Sequence, residues 1–160
     1  MRLFAAALAL AVFGVAPAAS AQAGWGMSQP VGAHVGELGQ LSPTHRYWQA
    51  CLSAEAATAL HGCGRIIGAR VSREHTAAAH YFRSIALASL GEDRRALRDL
   101  RRAYFSFVDI LFEDDANALA LYGRGLSLVR MGHEAEGRAD MAAALAISQG
   151  RAERFFDLDG

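Results

Sequence analysis

The residues best suited to chemistry in this chain are two charged pairs with the same spacing. Arg83 precedes Asp99 by 16 positions, and Arg124 precedes Asp140 by 16 positions. In a helical hairpin this spacing can bring the guanidinium and the carboxylate together across the two helices. The spacing could also let Asp99 meet Arg124 of the next hairpin. A buried arginine is tolerated only with a partner, and we predict an ion pair inside each hairpin. The alternative is that both arginines line a groove and bind a partner's carboxylate.

The only two cysteines, Cys51 and Cys63, are candidates for a disulfide. In one continuous helix they would lie about 18 Å apart, whereas a disulfide needs Cα atoms within about 7 Å of each other. A disulfide therefore requires the chain to fold back between Leu52 and Ala56. It is the favoured state in an exported chain. The alternatives are two buried free thiols and a metal site that also uses His61, which has too few ligands for structural zinc.

The six histidines are scattered and predict no metal site. They are His34, His45, His61, His75, His80 and His133. His75 and His80 are five positions apart and face different sides of a helix, whereas metal-binding pairs on one helix are three or four apart. No nucleophile motif, phosphate-binding loop or paired carboxylates stand in the chain. We expect no catalytic residue, metal or cofactor; the alternative is a small hydrolase or metal-handling protein whose histidines and cysteines converge in space.

Arginines are concentrated in the segment 92–112. They are Arg94, Arg95, Arg98, Arg101 and Arg102. The simplest interpretation is a solvated helix face, and the alternative is a docking surface for acidic proteins or phospholipid head groups. The whole chain carries 16 basic and 16 acidic residues, for a formal net charge of zero. Without a net positive field we expect no nucleic-acid partner.

These candidates belong to a segment that is repeated. Six residues recur at an offset of 41 positions: Tyr81, Arg83, Leu87, Gly91, Asp99 and Ala103 recur as Tyr122, Arg124, Leu128, Gly132, Asp140 and Ala144. An internal repeat of this length is typical of stacked helical units. The glycine within each copy predicts a turn between two helices.

Apolar spacing predicts the position of each helix. The predicted helices are 59–67, 73–90, 92–112, 116–131 and 134–148, with Ser72 and Gly150 as candidate caps. The helix 92–112 has one apolar stripe, made of Ala96, Leu97, Leu100, Ala103, Tyr104, Phe107, Val108 and Leu111. Phe105 and Phe112 lie off this stripe, so we expect them to form a second contact face.

The N-terminal part of the chain is typical of an exported protein. Residues 1–23 combine Arg2, an apolar core over 3–15 and small residues suited to cleavage, as in a signal peptide. The alternative is a membrane anchor, but the core is shorter than the roughly 20 residues that a spanning helix needs. We expect a periplasmic or secreted protein that does not span the membrane after cleavage. The Gly-rich residues 24–42 predict a flexible leader.

The remaining chain is expected to form one helical domain over 43–150, followed by a tail, 151–160. Phe155, Phe156 and Leu158 make this tail apolar. The end of a stacked helical array exposes a hydrophobic face that needs a cap. We therefore expect the tail to fold back onto the domain.

The repeated segment resembles the tetratricopeptide repeat. The residues that carry the resemblance are Gly91, Ala96, Leu100 and Ala103 in one copy and Gly132, Gly137, Met141 and Ala144 in the other, with Ser84 and Gly125 as small first-helix residues. The copies cover about 77–110 and 118–150, with a degenerate leading unit at about 55–70. The chain is similar to exported bacterial repeat proteins with an N-terminal cysteine pair and an Arg-Gly signature, here Arg124-Gly125. The resemblance implies helical hairpins stacked as a short right-handed solenoid.

The chain also departs from the family pattern. His80 and Leu121 stand where the family has tryptophan, and Gly137 replaces an alanine at a cost of up to about 1 kcal/mol. The 41-residue period is longer than the usual 34 residues, and we assign the extra turns to the end of the helix 92–112.

The resemblance implies an interaction scaffold that holds a peptide or a partner helix in a concave groove. The groove residues implied are Tyr81, Arg83, Ile85, Tyr122, Arg124 and Leu126. Because two and a half repeats make a short groove, self-association and docking to a larger envelope complex, as a structural accessory subunit, are the alternatives.

Overall fold

The computed structural model describes residues 43–157, and this part of the chain contains seven α-helices and no strand. The helices are α1 Pro43–Cys51, α2 Ala56–Ile67, α3 Arg73–Ser89, α4 Asp93–Glu113, α5 Ala118–Arg130, α6 Glu134–Ser148 and α7 Arg151–Phe156. The predicted all-α class is therefore confirmed. The predicted signal peptide and leader lie outside the described residues, as does Leu158. Within 43–157, none of the helices combines the length and the apolar character needed to cross a bilayer.

Polar side chains begin three of the helices, and at α2 the Glu55 carboxylate accepts from the N–H groups of Ala57 and Thr58. The Ser72 hydroxyl accepts a hydrogen bond from the backbone N–H of His75, which confirms Ser72 as the cap of α3. The Asn117 side chain accepts from the N–H of Ala120 in the same way. This cap makes α5 begin at Ala118, two residues later than the sequence pattern predicts.

Backbone in the left-handed region makes the turns between helices. Gly91 has φ of 71° and Gly132 has φ of 92°, values that favour glycine, and both predicted breaks are confirmed. The prediction that Gly150 caps α6 is wrong by one residue. Gln149, with φ of 52°, ends α6, and Gly150 then stands before α7.

Consecutive helices pack against each other along the chain. We call α1–α2 the leading hairpin, α3–α4 the first hairpin and α5–α6 the second hairpin, and the helices of each are in extensive contact. The first hairpin packs against α2 on one side and against α5 on the other. The last helix, α7, packs on both α5 and α6.

The two hairpins are aligned but not equal in length. Their second helices begin at Asp93 and Glu134, which are 41 positions apart. However, α4 has 21 residues and α6 has 15. The additional residues lie at the end of α4, as the repeat period predicts.

The buried side of α4 follows the predicted apolar stripe only in part. Tyr104 and Val108 of the stripe are half-buried, and Asp99 and Ile110 are buried although they lie off it. The buried residues are Ala96, Asp99, Leu100, Ala103, Phe107, Ile110 and Leu111. Leu97, predicted on the stripe, is 43% exposed. The prediction that Phe105 and Phe112 form a second contact face is also wrong for the described residues, since they are 59% and 93% exposed. The reason is that α3 and α5 both pack on the side of α4 that carries Asp99 and Phe107.

A disulfide joins the two helices of the leading hairpin. Cys51 and Cys63 are bonded, with their Cα atoms 4.5 Å apart. Because α1 ends at Cys51 and α2 begins at Ala56, the chain folds back where the disulfide requires it. The backbones also approach closely at Gly62, where a Cβ atom would overlap the backbone of Cys51. The predicted disulfide is confirmed.

Candidate partner-binding surface

Both repeated Arg–Asp pairs form inside their own hairpins. Arg83 donates from Nε and Nη2 to the two oxygens of Asp99, at 2.6 and 2.9 Å. Arg124 donates to the two oxygens of Asp140 in the same manner, at 2.6 and 2.7 Å. This two-pronged geometry is the strong form of an arginine–carboxylate interaction. The predicted intrahairpin ion pairs are therefore confirmed.

Asp99 has more partners than Asp140. It is 3% exposed and also receives hydrogen bonds from His80 Nδ1 and Arg102 Nη1, each at 3.3 Å. Burial opposes ionisation of Asp99, but the hydrogen bonds from Arg83 and His80 and the charge of Arg83 outweigh it, so the pKa of Asp99 lies below its usual value. Asp99 is thus held as a carboxylate in the core of the first hairpin.

His80 completes this group as a neutral side chain. Burial lowers its pKa, and the Arg83 charge lowers it further, against the opposing effect of Asp99. A carboxylate can only accept hydrogen bonds, so Nδ1 carries the proton that His80 shares with Asp99. His80 therefore has a polar structural role beside Asp99.

The two arginines keep part of their donor capacity. The side chains of Arg83 and Arg124 are 24% and 28% exposed, and each guanidinium has five N–H donors. Two of the nitrogens face the aspartate, so the other N–H groups are available to a partner. The assignment of both arginines to a groove stays a prediction.

The two repeated tyrosines contact the C-terminal helix. The Phe156 ring lies 6.0 Å from the ring of Tyr81 and 5.8 Å from the ring of Tyr122, centre to centre. It also lies 5.8 Å from Phe82 and 6.2 Å from Phe107. Ring centres 4.5 to 7 Å apart are favourable aromatic contacts. Phe156 therefore packs on residues from α3, α4 and α5 together.

The preceding residue of α7 reaches the leading hairpin. Phe155 lies 5.6 Å from Trp48 of α1 and 5.3 Å from His75 of α3, measured between ring centres. Together these rings form what we call the aromatic cluster: Trp48, His75, Tyr81, Phe82, Phe107, Tyr122, Phe155 and Phe156. The tail thus folds back over α1, α3 and α5, on the same side as the predicted groove tyrosines.

The other two residues predicted to line a groove, Ile85 and Leu126, are partly buried and pack against the hydrophobic core. Trp48, His75 and Phe82 belong to the cluster, although the repeat pattern did not single them out. The available signal was the adjacent pair Phe155-Phe156, whose apolar rings must be buried somewhere.

Trp48 leaves one polar atom without a partner. The residue is 3% exposed, and its Nε1–H makes no hydrogen bond to any of the described residues. A buried tryptophan N–H usually has an acceptor. Within residues 43–157, Trp48 Nε1 is the one buried N–H donor of the aromatic cluster that makes no hydrogen bond.

Metal-binding groups do not converge in the described part of the chain. Across 43–157, no three histidine, cysteine, aspartate or glutamate side chains are placed to hold an ion together.

Comparison with known proteins gives no relative. No protein-family model, no curated protein and no solved structure matches this chain.

Proposed function

We propose that this chain is an exported interaction module that binds a short helix or peptide on the surface of α3 and α5. In this proposal the two hairpins are tetratricopeptide-like units, stacked after a degenerate leading unit as a short right-handed solenoid. The observation that carries the proposal is the contact of Phe156 with Tyr81 and Tyr122. These equivalent tyrosines, one from each copy, together accept one aromatic side chain of a short helix.

The contacts of α7 define the chemistry of a suitable partner. The helix has six residues and presents two adjacent rings, Phe155 and Phe156, which insert into different parts of the aromatic cluster. Recognition of an apolar helix face by a surface of this kind is a common binding mode. The partner we propose is a helical segment with two neighbouring aromatic side chains.

The C-terminal helix is suited to being displaced. Helices shorter than about 12 residues are marginal by themselves, so α7 depends on its packing against the domain. It is joined to α6 through Gln149 and Gly150, both at positive φ. Rotation there can release α7 without disturbing the hydrogen bonds inside α6. A partner's carbonyl oxygen would also provide an acceptor for Trp48 Nε1.

The disulfide supports the exported location. Cys51 and Cys63 are bonded in the structure, and structural disulfides persist in oxidising compartments such as the bacterial periplasm. Thiol labelling of fractionated cells tests this point. A protected cysteine pair in the exported fraction is expected, and reduced thiols in the cytosolic fraction would contradict it.

A peptide-binding experiment tests whether the surface accepts a helix from solution. The probe is a fluorescent peptide with the sequence of residues 149–160, and the protein is the full chain with Phe155→Ala and Phe156→Ala. We expect the peptide to bind this variant at least about tenfold more tightly than the natural chain. The reason is that the tethered α7 competes at an effective concentration of about a millimolar.

A third substitution provides the matched control. Adding Tyr122→Ala to the variant removes one ring that contacts Phe156, and it should abolish the gain in peptide binding. Equal binding to all three proteins would show that the peptide uses another surface. If the surface is confirmed, affinity capture from the exported compartment with the Phe155→Ala/Phe156→Ala chain as bait, and the triple variant as control, identifies the natural partner.

A further inference from the structure

The outer side of α4 carries the two most exposed large apolar side chains of the described residues. Phe112 is 93% exposed and Phe105 is 59% exposed. They are seven positions apart, which is two helical turns, so they lie on one line along the helix. Neither contributes to the buried core of the hairpins.

Three arginines continue this line toward the start of α4. Arg94, Arg98 and Arg101 are exposed and follow each other at intervals of four and three residues, and Phe105 follows Arg101 by four. This spacing keeps all of them on one narrow face. We call Arg94, Arg98, Arg101, Phe105 and Phe112 the α4 stripe. It spans 18 residue steps, or about 27 Å.

The charges of the stripe are not compensated. Of the five arginines in α4, Arg95 pairs with Glu92 and Arg102 pairs with Asp99. The three arginines of the stripe make no ion pair with any of the residues 43–157. The positive end of the stripe therefore faces outward with its full charge.

Four exposed acidic residues, Asp109, Glu113, Asp114 and Asp115, lie beside the aromatic end, and two of them have a basic neighbour. Glu113 forms an ion pair with Arg73 at 2.6 Å. The charge of Asp109 also acts on Arg73. All four carboxylates follow the nearest stripe arginine, Arg101, by eight or more positions, or about 12 Å along a helix. This is beyond a Debye length of about 8 Å, so they do not cancel the arginines locally.

We propose that the α4 stripe docks this protein onto an anionic phospholipid bilayer. The three arginines contact lipid phosphates, and the two phenylalanines enter the interfacial region beside them. Basic residues and aromatic side chains on one helix face are the usual means by which a helix lies on a membrane surface. The stripe projects from a single helix and has no walls around it, so it fits a planar partner better than a peptide.

Because the net charge of the chain is zero, this proposal requires a local group of charges to bind the membrane. With 16 basic and 16 acidic residues, the molecule as a whole is not attracted to an anionic surface. Attraction must come from a local group of charges within a Debye length of about 8 Å at physiological ionic strength. Binding should therefore depend on these three arginines and weaken with added salt.

Vesicle sedimentation with the full chain tests the proposal. We expect binding to vesicles of phosphatidylcholine mixed with phosphatidylglycerol and none to vesicles of phosphatidylcholine alone. The variant Arg94→Gln/Arg98→Gln/Arg101→Gln should bind about a hundredfold more weakly, since each basic residue near the surface contributes a factor of about five. The variant Phe105→Ser/Phe112→Ser should lose about tenfold or more.

Matched variants on other faces control for non-specific effects. Arg46→Gln/Arg70→Gln/Arg138→Gln removes three exposed arginines elsewhere, and Leu145→Ser/Ile147→Ser removes two exposed apolar side chains of α6. Both should bind as the natural chain does. All variants share the same residues 1–42, so any lipid binding by that segment is common to all. Circular dichroism verifies that each variant is folded.

Four results would overturn the proposal. They are absence of binding to the anionic vesicles, equal binding to both kinds of vesicle, no loss in the stripe variants, and an equal loss in the control variants. Arginine-dependent binding to polyglutamate without vesicle binding would assign the stripe to an acidic protein instead. Sedimentation velocity would assign the α4 stripe to a second copy of this chain if it showed a dimer that Phe105→Ser/Phe112→Ser dissociates, again without vesicle binding.

Discussion

The first and second hairpins carry the same repeated residues but are held together differently. In both, an arginine of the first helix binds an aspartate of the second helix through two hydrogen bonds. In the first hairpin the aspartate is surrounded by further basic groups. In the second hairpin the two backbones approach closely. The repeat thus preserves the ion pair, and the surrounding packing differs between the copies.

The first hairpin relies on polar contacts. Asp99 binds Arg83, His80 and Arg102, and its side chain is only 5% exposed. At the small position of the first helix, Ser84 is buried and its hydroxyl donates to the carbonyl of Tyr81 at 2.6 Å. This hairpin lies between α2 and α5 and is covered on both sides.

The second hairpin relies on two glycines. A Cβ atom at Gly125 would lie 2.6 Å from the carbonyl oxygen of Gly137, and one at Gly137 would lie 2.5 Å from that of Gly125. Helices this close have no room for a side chain. Asp140 pairs with Arg124 and is 16% exposed. Gly137 therefore weakens α6 as an isolated helix but permits the close packing of α5 and α6.

Removal of the aspartates should have the largest effect and should distinguish the hairpins. We expect Asp99→Ala to lower the free energy of unfolding by about 3 kcal/mol, because it leaves a partly buried arginine without its partner. Asp140→Ala should cost about 1 kcal/mol, because its pair is more accessible to water. Urea denaturation of both variants measures the difference. Equal losses would contradict the stronger support that we assign to Asp99.

The leading hairpin is held by a disulfide, a covalent link that the first and second hairpins do not have. Removal of the disulfide should therefore affect the leading hairpin most. We expect Cys51→Ala/Cys63→Ala to lower the free energy of unfolding by about 3 kcal/mol through the entropy of the unfolded chain. Hydrogen exchange should show lost protection in α1 and little change in α6. The double variant should also be insensitive to reductant, whereas the natural chain should be destabilised by it.

A glycine substitution tests the close approach in the second hairpin. Gly137→Ala should destabilise by about 2 kcal/mol, because the added methyl forces the α5 and α6 backbones apart. Gly64→Ala is the matched control, since a Cβ atom at Gly64 in α2 meets nothing within 4 Å. There alanine should stabilise by up to about 1 kcal/mol through helix propensity. Thermal denaturation that gives both substitutions the same sign would refute the packing argument.

Mild acid should destabilise the first hairpin more than the second. We expect this to be the smallest of the four effects predicted here for the hairpins. Burial lowers the pKa of His75 and of His80, both in α3, below the ordinary value of 6.5. The unfolded chain then takes up protons before the folded chain does, so stability is lost as the pH falls below about 6.5 toward the folded pKa values. The second hairpin has one histidine, His133, and it is exposed.

Hydrogen exchange at pH 7 and pH 5, corrected for the intrinsic rate, measures this difference. Protection in α3 should fall relative to protection in α5 and α6. His75→Gln should reduce the pH dependence, because it removes one of the two groups that titrate. A uniform loss of protection across both hairpins would show that the histidines of α3 are not responsible.

Local pattern predicted most of the secondary structure. Apolar spacing located α2 to α6 to within a few residues, and Gly91 and Gly132 marked their turns. The spacing of Arg83 and Asp99 predicted the ion pair inside the hairpin, although the same spacing also left a pair between Asp99 and Arg124 possible. The start of α5 at Ala118 differed from prediction because the Asn117 cap sets it. The end of α6 at Ser148 was predicted, but its cap is Gln149 and not Gly150.

By itself, the sequence determined the helices from α2 to α6, the turns between them and which side chains can pair across a turn. These features depend on neighbours within about twenty positions. Only the tertiary structure decided that α7 packs on Tyr81 and Tyr122, that Phe105 and Phe112 face outward and that two backbones approach closely at Gly137. Each depends on which helix lies against which face. An apolar stripe with a period of 3.6 residues shows that a face can be buried but not what covers it.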